Sequence, residues 1–147
     1  MPAPRRAIVA DADAVANVFL AARAAMTYLP DLHTDEETRA FFATVVAGAE
    51  VWVVDADGGV AAFAALGRDE LEHLYVHPRL QGRGLGTALL DVAKERRPGG
   101  LALWVFQPNE GARRFYERHG FGLVRLTDGS GNEERVPDAR YAWRPAR

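Results

Sequence analysis

The stretch Leu74-Tyr75-Val76-His77-Pro78-Arg79-Leu80-Gln81-Gly82-Arg83-Gly84-Leu85-Gly86-Thr87 decides how this chain is read. It opens as the end of an apolar strand, is stopped by Pro78, and passes through three closely spaced glycines into a segment with Leu85, Leu89, Val92 and Ala93 at helical spacing. Glycines between a strand end and a helix start let several backbone amides converge with no side chain in the way, and the helix N-terminus adds partial positive charge. The product is a cradle for a phosphate or pyrophosphate, to which Arg83 adds a charge. A Walker A loop requires Gly-Lys-Ser/Thr and has no lysine here. A dinucleotide fingerprint fails as well, since Thr87 or Leu89 falls at its last glycine and Leu103–Phe106 lies where the acidic ribose partner belongs. A purely structural strand–helix turn remains the plain alternative.

Upstream, Glu70–Val76 alternates Leu71, His73 and Tyr75 with Glu70, Glu72, Leu74 and Val76, predicting a strand with Glu72 and Glu70 on the face of Leu74 and Val76. Val51–Val54 and Val60–Leu66 flank Asp57-Gly58-Gly59 and predict a hairpin. Before it, Val15, Val18, Phe19, Ala22 and Met26 mark one helix, capped by Asp11 or Asp13 and ended by Pro30, after a first strand at Ala7–Val9. Thr34-Asp35-Glu36-Glu37 reads as a capping box opening a second helix that carries Phe41, Phe42, Val45 and Val46. Downstream come a strand at Leu101–Phe106, a short helix capped by Asn109 and closed by Gly120, and a last strand pair at Phe121–Thr127 and Ala139–Trp143. Helices, an antiparallel meander and strand–helix–strand units make a mixed α/β (α+β) fold, expected to be one domain over residues 1–147.

Two motifs at fixed spacing then bring a resemblance. Leu74–Pro78 with Gln81-x-x-Gly84-x-Gly86, followed by Asn109 and, seven residues on, Tyr116 before Gly120-Phe121, resembles the Gcn5-related N-acetyltransferases. The resemblance is firm over Glu70–Phe121 and compatible in element order elsewhere. It implies a mostly antiparallel sheet in which two parallel central strands, Glu70–Val76 and Leu101–Phe106, splay apart to hold acetyl-CoA. The backbone of Leu74 and Val76 would pair with the pantetheine arm. The loop Gln81-Gly82-Arg83-Gly84-Leu85-Gly86-Thr87 would take the pyrophosphate, and Asn109 would hydrogen-bond the arm. Tyr116, beside the thioester sulfur, is the implied general acid.

Composition sets the frame for that chemistry. The 147 residues are 48% hydrophobic and 26% charged, with a net charge of −2 and no cysteine. The charge disfavours a nucleic-acid partner. The missing thiol excludes a disulfide framework and an enzyme-bound thioester, so direct attack by the amine is expected. No apolar run has the length of a signal-peptide core or a membrane span, which predicts a soluble, cytoplasmic protein.

A primary amine has a pKa of about 10.4 and must lose a proton to react, and relatives carry bases at the Glu70 and Glu72 positions. A glutamate used by other members on the next strand is replaced by Trp104. Of the histidines, His73 reads as packing, His77 as exposed loop, His119 as a helix C-terminal residue where a cation is favoured, and His33 as the one placed over the acceptor site. Among Arg113, Arg114 and Arg118, one is a candidate for the coenzyme 3′-phosphate, and Asn132–Arg135 reads as a polar turn or a wall of the acceptor pocket. No metal is expected. The expected acceptor is a small-molecule, peptide or protein amine, and the sequence leaves a homodimer open. A non-catalytic acyl-CoA-binding domain on the same fold is the rival reading.

Overall fold

Thr34 accepts a hydrogen bond from the Glu37 amide at 3.1 Å while the Glu37 carboxylate accepts from the Thr34 amide at 2.8 Å, so the capping box forms as the sequence predicts. The computed structural model describes residues 3–146. It runs β1(Arg5–Arg6), α1(Ala12–Ala24), α2(Asp35–Gly48), β2(Glu50–Ala56), β3(Gly59–Leu66), β4(Leu71–Val76), α3(Leu85–Arg96), β5(Leu101–Phe106), α4(Glu110–Arg118), β6(Gly122–Leu126) and β7(Asp138–Trp143).

The strands form two antiparallel sheets, ordered β1-β2-β3-β4 and β5-β7-β6. One parallel bridge, Glu70–Ala102, joins them, reinforced by the Ala102 amide donating to the Asp69 carbonyl at 3.0 Å. Two apolar clusters cover the faces of the first sheet. Val15, Val18, Phe42, Val51, Val53 and Phe63 pack under α1 and α2, and Leu66, Leu71, Leu85, Leu89, Leu90 and Leu103 pack around α3. β3 is buried on both sides from Ala61 to Leu66, so its alanines let helices approach from above and below.

Four details depart from the sequence reading. The first strand is Arg5–Arg6, and Val9–Asp11 is a 3-10 turn with Val9 exposed. Asp11 occupies the N-cap of α1, yet its carboxylate accepts from both terminal nitrogens of the Arg5 guanidinium and from the Ile8 amide, and Arg5 holds its pKa below the usual carboxylate range. α1 ends at Ala24, well short of Pro30. Most consequential is a bulge in β4: Ala65 pairs with His73 but Leu66 with Leu71, so Glu72 is the extra residue. Alternation breaks there. Leu71 joins Leu74 and Val76 against the α3 cluster, while His73 and Tyr75 face α1 and α2.

Removing the cap oxygen with Thr34→Ala is expected to cost about 1 kcal/mol, read as a lowered urea midpoint at unchanged slope.

Candidate active site

β4 and β5 part company beyond the Glu70–Ala102 bridge, and the ladder parity states which backbone groups face the gap. The His77 amide donates to the Ala61 carbonyl at 2.8 Å, which fixes Tyr75–Phe63 and His73–Ala65 as the hydrogen-bonded pairs of the β3–β4 ladder. The N–H and C=O of Leu74 and Val76 therefore point toward β5. On the other bank, the Gln107 amide donates to the Pro137 carbonyl at 2.8 Å, so Val105 and Leu103 pair with β7 and the backbone groups of Trp104 and Phe106 face the gap. Across a cleft of about 800 Å³ the Leu74 and Val76 edge faces that of Trp104, while the Phe106 carbonyl is already taken by the Asn109 amide at 3.0 Å.

The glycine loop closes the wide end of this cleft. Gly82 and Gly84 both have φ of 80°, a region that side chains disfavour. Gly84 is the N-cap of α3 and offers no side-chain acceptor, so the first-turn amides of Leu85, Gly86 and Thr87 have no intrahelical partner. Gln81, Gly82, Gly84, Leu85, Gly86 and Thr87 all line the cleft. Gly86 is the point of close approach, where an added Cβ would lie 3.4 Å from Phe115. Arg83 points elsewhere: its guanidinium pairs with Asp57 in the β2–β3 turn at 3.2 Å.

α4 supplies the far wall. Asn109 caps it by accepting from the Ala112 amide through Oδ1 at 3.2 Å, which leaves the Nδ2 hydrogens for the cleft that Asn109 lines. Tyr116, 8% exposed, lines the same cleft, and burial followed by the nearby Tyr75 phenol pushes its pKa well above the usual value. Of the three arginines on this helix, Arg113 donates to the Tyr141 hydroxyl at 3.1 Å, Arg114 faces Glu110 at 3.8 Å, and Arg118 alone borders the cleft.

The two glutamates separate. Glu72 lines the cleft at the bulge, its carboxylate resting over Gly67, where a Cβ would stand 2.5 Å from Oε1. Glu70 does not share the face of Leu74 and Val76, because the bulge intervenes. It accepts from Arg140 of β7 at 2.8 Å on the side of Trp104, whose indole lies 5.1 Å from the Arg140 guanidinium.

On that side His33 and the Asn132–Arg135 turn, both singled out in the sequence, meet partners the sequence did not announce. Arg23 of α1 lies over the rings of Phe19 and Phe106 and pairs with Glu134, while His33 pairs with Glu133 at 2.5 Å. These two contacts tie α1 and the α1–α2 loop to the β6–β7 loop, although none of Asn132–Arg135 lines the cleft itself. Tyr28 and Phe106 meet at 6.3 Å between ring centroids. No local motif announces such contacts, since Arg23 and Glu134 are 111 residues apart.

Residues 47–122 match the family described as "Acetyltransferase (GNAT) domain", and the chain belongs to that family. Among characterised relatives, it is 35% identical over 80 residues to the peptidyl-lysine N-acetyltransferase YiaC of Escherichia coli (54% of this chain, 54% of that protein). It is 37% identical over 87 residues to the mycothiol acetyltransferase of Beutenbergia cavernae (52% of this chain, 29% of that protein). The matches thus span about half the length of the former and less than a third of the latter. The fold resembles that of a GCN5-related N-acetyltransferase from Rhodopseudomonas palustris (TM-score 0.80, 24% identity, 99% of this chain and 96% of that one). It also resembles yncA of Salmonella typhimurium, solved with its cofactor acetyl-CoA (TM-score 0.75, 21% identity, 100% and 95%).

Two histidines sit apart from any catalytic arrangement. His119 contacts Thr87 Oγ1 at 3.3 Å, and burial together with Lys94, which donates to the His119 carbonyl at 2.6 Å, lowers its pKa, so the cation expected at this helix end is disfavoured. His73 is packed among Phe42, Phe41, Phe19 and Tyr75, and burial, aided by Arg23, lowers its pKa to about 4. A histidine that is neutral when folded binds its proton more readily when unfolded. Stability is then complete above about pH 6.5 and falls as pH drops from there to about 4. Urea unfolding across that window is expected to show this slope, and His73→Phe to remove much of its upper part, with His119 contributing there and the lowered carboxylates of Glu50 and Asp11 adding their own loss toward its acid end.

Proposed function

We propose that the chain is an N-acetyltransferase, a single domain that moves the acetyl group of acetyl-CoA to a primary amine by direct attack in a ternary complex. One observation carries this reading: the unpaired edge of Leu74 and Val76 leads straight to the uncapped first turn of α3. An extended amide-bearing arm ending in a pyrophosphate satisfies both sets of groups at once. A strand-like ladder takes the arm and helix-terminal amides take the anion. The names of the relatives support the same chemistry, YiaC being a lysine acetyltransferase and yncA having been solved with acetyl-CoA. No described helix is long and apolar enough to cross a membrane; cytoplasmic residence belongs to the same proposal.

The bound coenzyme supplies an acetyl group activated as a thioester. Backbone amides at Leu74–Val76 polarise its carbonyl where negative charge develops, a contribution of about 3 kcal/mol for one well-placed donor. As the amine nitrogen bonds the carbonyl carbon, the carbon–sulfur bond breaks and its electron pair leaves on sulfur. The proton shed by nitrogen must reach solvent or sulfur. Glu72, which lines the cleft on β4 while Glu110 lines it at the start of α4, accepts it directly or through water. Glu70 is the weaker base candidate, because Arg140 already occupies one of its oxygens.

Tyr116 stabilises the departing sulfur. Its raised pKa keeps the phenol protonated throughout the working range, which a hydrogen-bond donor requires. Full transfer from so weak an acid to a thiolate of pKa about 8.5 is uphill, so Tyr116 acts chiefly by donating as charge accumulates. Asn109 Nδ2 and the amides from Gly82 to Thr87 hold the arm and pyrophosphate, with Gln81 at the rim. Arg83 contributes only after leaving Asp57.

Thiol release in the presence of a panel of amines tests the reading. Tyr116→Phe is expected to lower kcat roughly 10- to 100-fold while calorimetry shows unchanged affinity for the coenzyme. Binding of the coenzyme with no turnover for any amine would point instead to a sensing domain.

A further inference from the structure

A second cleft, of about 490 Å³, lies at the narrow end of the gap, where β4 and β5 are still joined. Arg68, Arg96, Arg97, Arg140 and Arg144 line it against a single lining carboxylate, Asp69. Glu50 takes Arg96 at 2.6 Å and Arg97 at 3.1 Å, and Glu70 takes Arg140. Arg68 and Arg144 are exposed and join no ion pair among the described residues.

Arg140 connects this cleft to the acyl cleft. It is the cross-strand neighbour of Trp104, which is 42% exposed and lines the acyl cleft. The guanidiniums of Arg140 and Arg125 lie 5.1 and 5.4 Å from the same indole ring. One Arg140 nitrogen donates to Glu70, but Nη1 is buried with no acceptor. A buried donor left unpaired is costly, and two cations gathered on one ring repel each other. An anion held by the exposed Arg68 and Arg144 offsets the positive charge gathered in this cleft, while the buried Nη1 stays out of its reach.

We propose that the arginine cleft binds an acidic segment of a polypeptide acceptor, whose amine meanwhile reaches the gap beside Trp104. From Trp104 to Leu101 is three strand residues, on the order of 10 Å, so the acidic residues fall three to five positions from the acetylated amine in an extended peptide. Guanidinium forks suit carboxylates. The interleaved Asp69, Glu50 and Glu70, with the chain's net charge of −2, suit separated carboxylates and oppose a continuous phosphate backbone. Which amine is acetylated rests on the acetyltransferase reading; the binding itself does not.

Fluorescence anisotropy at low salt with a labelled peptide of one lysine, three alanines and Asp-Glu-Asp, against its Asn-Gln-Asn counterpart, tests the cleft. The acidic peptide is expected to bind about tenfold tighter, the sum of two or three modest ion pairs, with the advantage fading as salt rises. In Arg68→Gln/Arg144→Gln the two affinities are expected to converge to within about twofold, because the pairs that separate them are gone. Equal affinities in the unsubstituted protein, an advantage that survives the double substitution, or tighter binding of a short oligothymidylate than of the acidic peptide would overturn the proposal. Thiol release separates the two readings: an acidic peptide that binds tightly yet is never acetylated, while another amine of the panel is, overturns its role as acceptor; no thiol release with any amine defeats the activity; and equal binding with acetylation of both peptides defeats the cleft alone.

Discussion

Two strands that begin as neighbours and then separate leave backbone groups with no partner, and the rest of this structure is arranged around that deficit. A buried N–H or C=O that meets neither a ladder nor water is costly, and close-packed proteins seldom tolerate it. Here the deficit is placed along both banks of one cleft, at Leu74 and Val76 on β4 and at Trp104 on β5, the Phe106 carbonyl being taken by the Asn109 amide. The single bridge at Glu70–Ala102 works as the apex of a wedge. Covering each bank with its own helices, α1 to α3 on one side and α4 on the other, keeps the two sheets from closing on each other.

Arginine holds much of what surrounds the wedge. Arg97 donates to the Gly67 carbonyl at 2.8 Å and shares Glu50 with Arg96, fastening the end of α3 to the start of β2 and to the β3–β4 turn. Arg23 stitches α1 to the β6–β7 loop, and Arg140 crosses from β7 to the residue preceding β4. These contacts join segments remote in sequence, and the planar guanidinium can serve a ring and a carboxylate at once. Partial burial places several of them where screening by solvent is weaker than at an open surface.

Much of the frame was legible in the chain because it rests on local chemistry. The Thr34–Glu37 box, the Asp57-Gly58 turn, the Gly82–Gly86 loop and the Asn109 cap are each written within a few residues, and each appears where its residues predict. What escaped depends on long-range pairing. The bulge at Glu72 has no signature of its own, since alternation looks unbroken until the partner strand is laid alongside. That one extra residue sent Glu70 to Arg140 and Leu71 to the α3 core. The partners of Arg23, Arg83 and Arg113 were likewise invisible, because a charged residue in a sequence carries no address for the group it will meet.

Tyr141 is wholly buried, and its hydroxyl donates to Glu117 at 2.6 Å while accepting from Arg113 at 3.1 Å, one helical turn apart on α4. That pair acts as a two-point hinge plate, bolting a helix of only nine residues to β7. Each residue of an α-helix advances the bearing by about 100°, so a slip of one position would swing the Tyr116 phenol out of the crevice and present Phe115 or Glu117 in its stead. The direction in which this phenol points is therefore inherited from a side chain on the strand behind it.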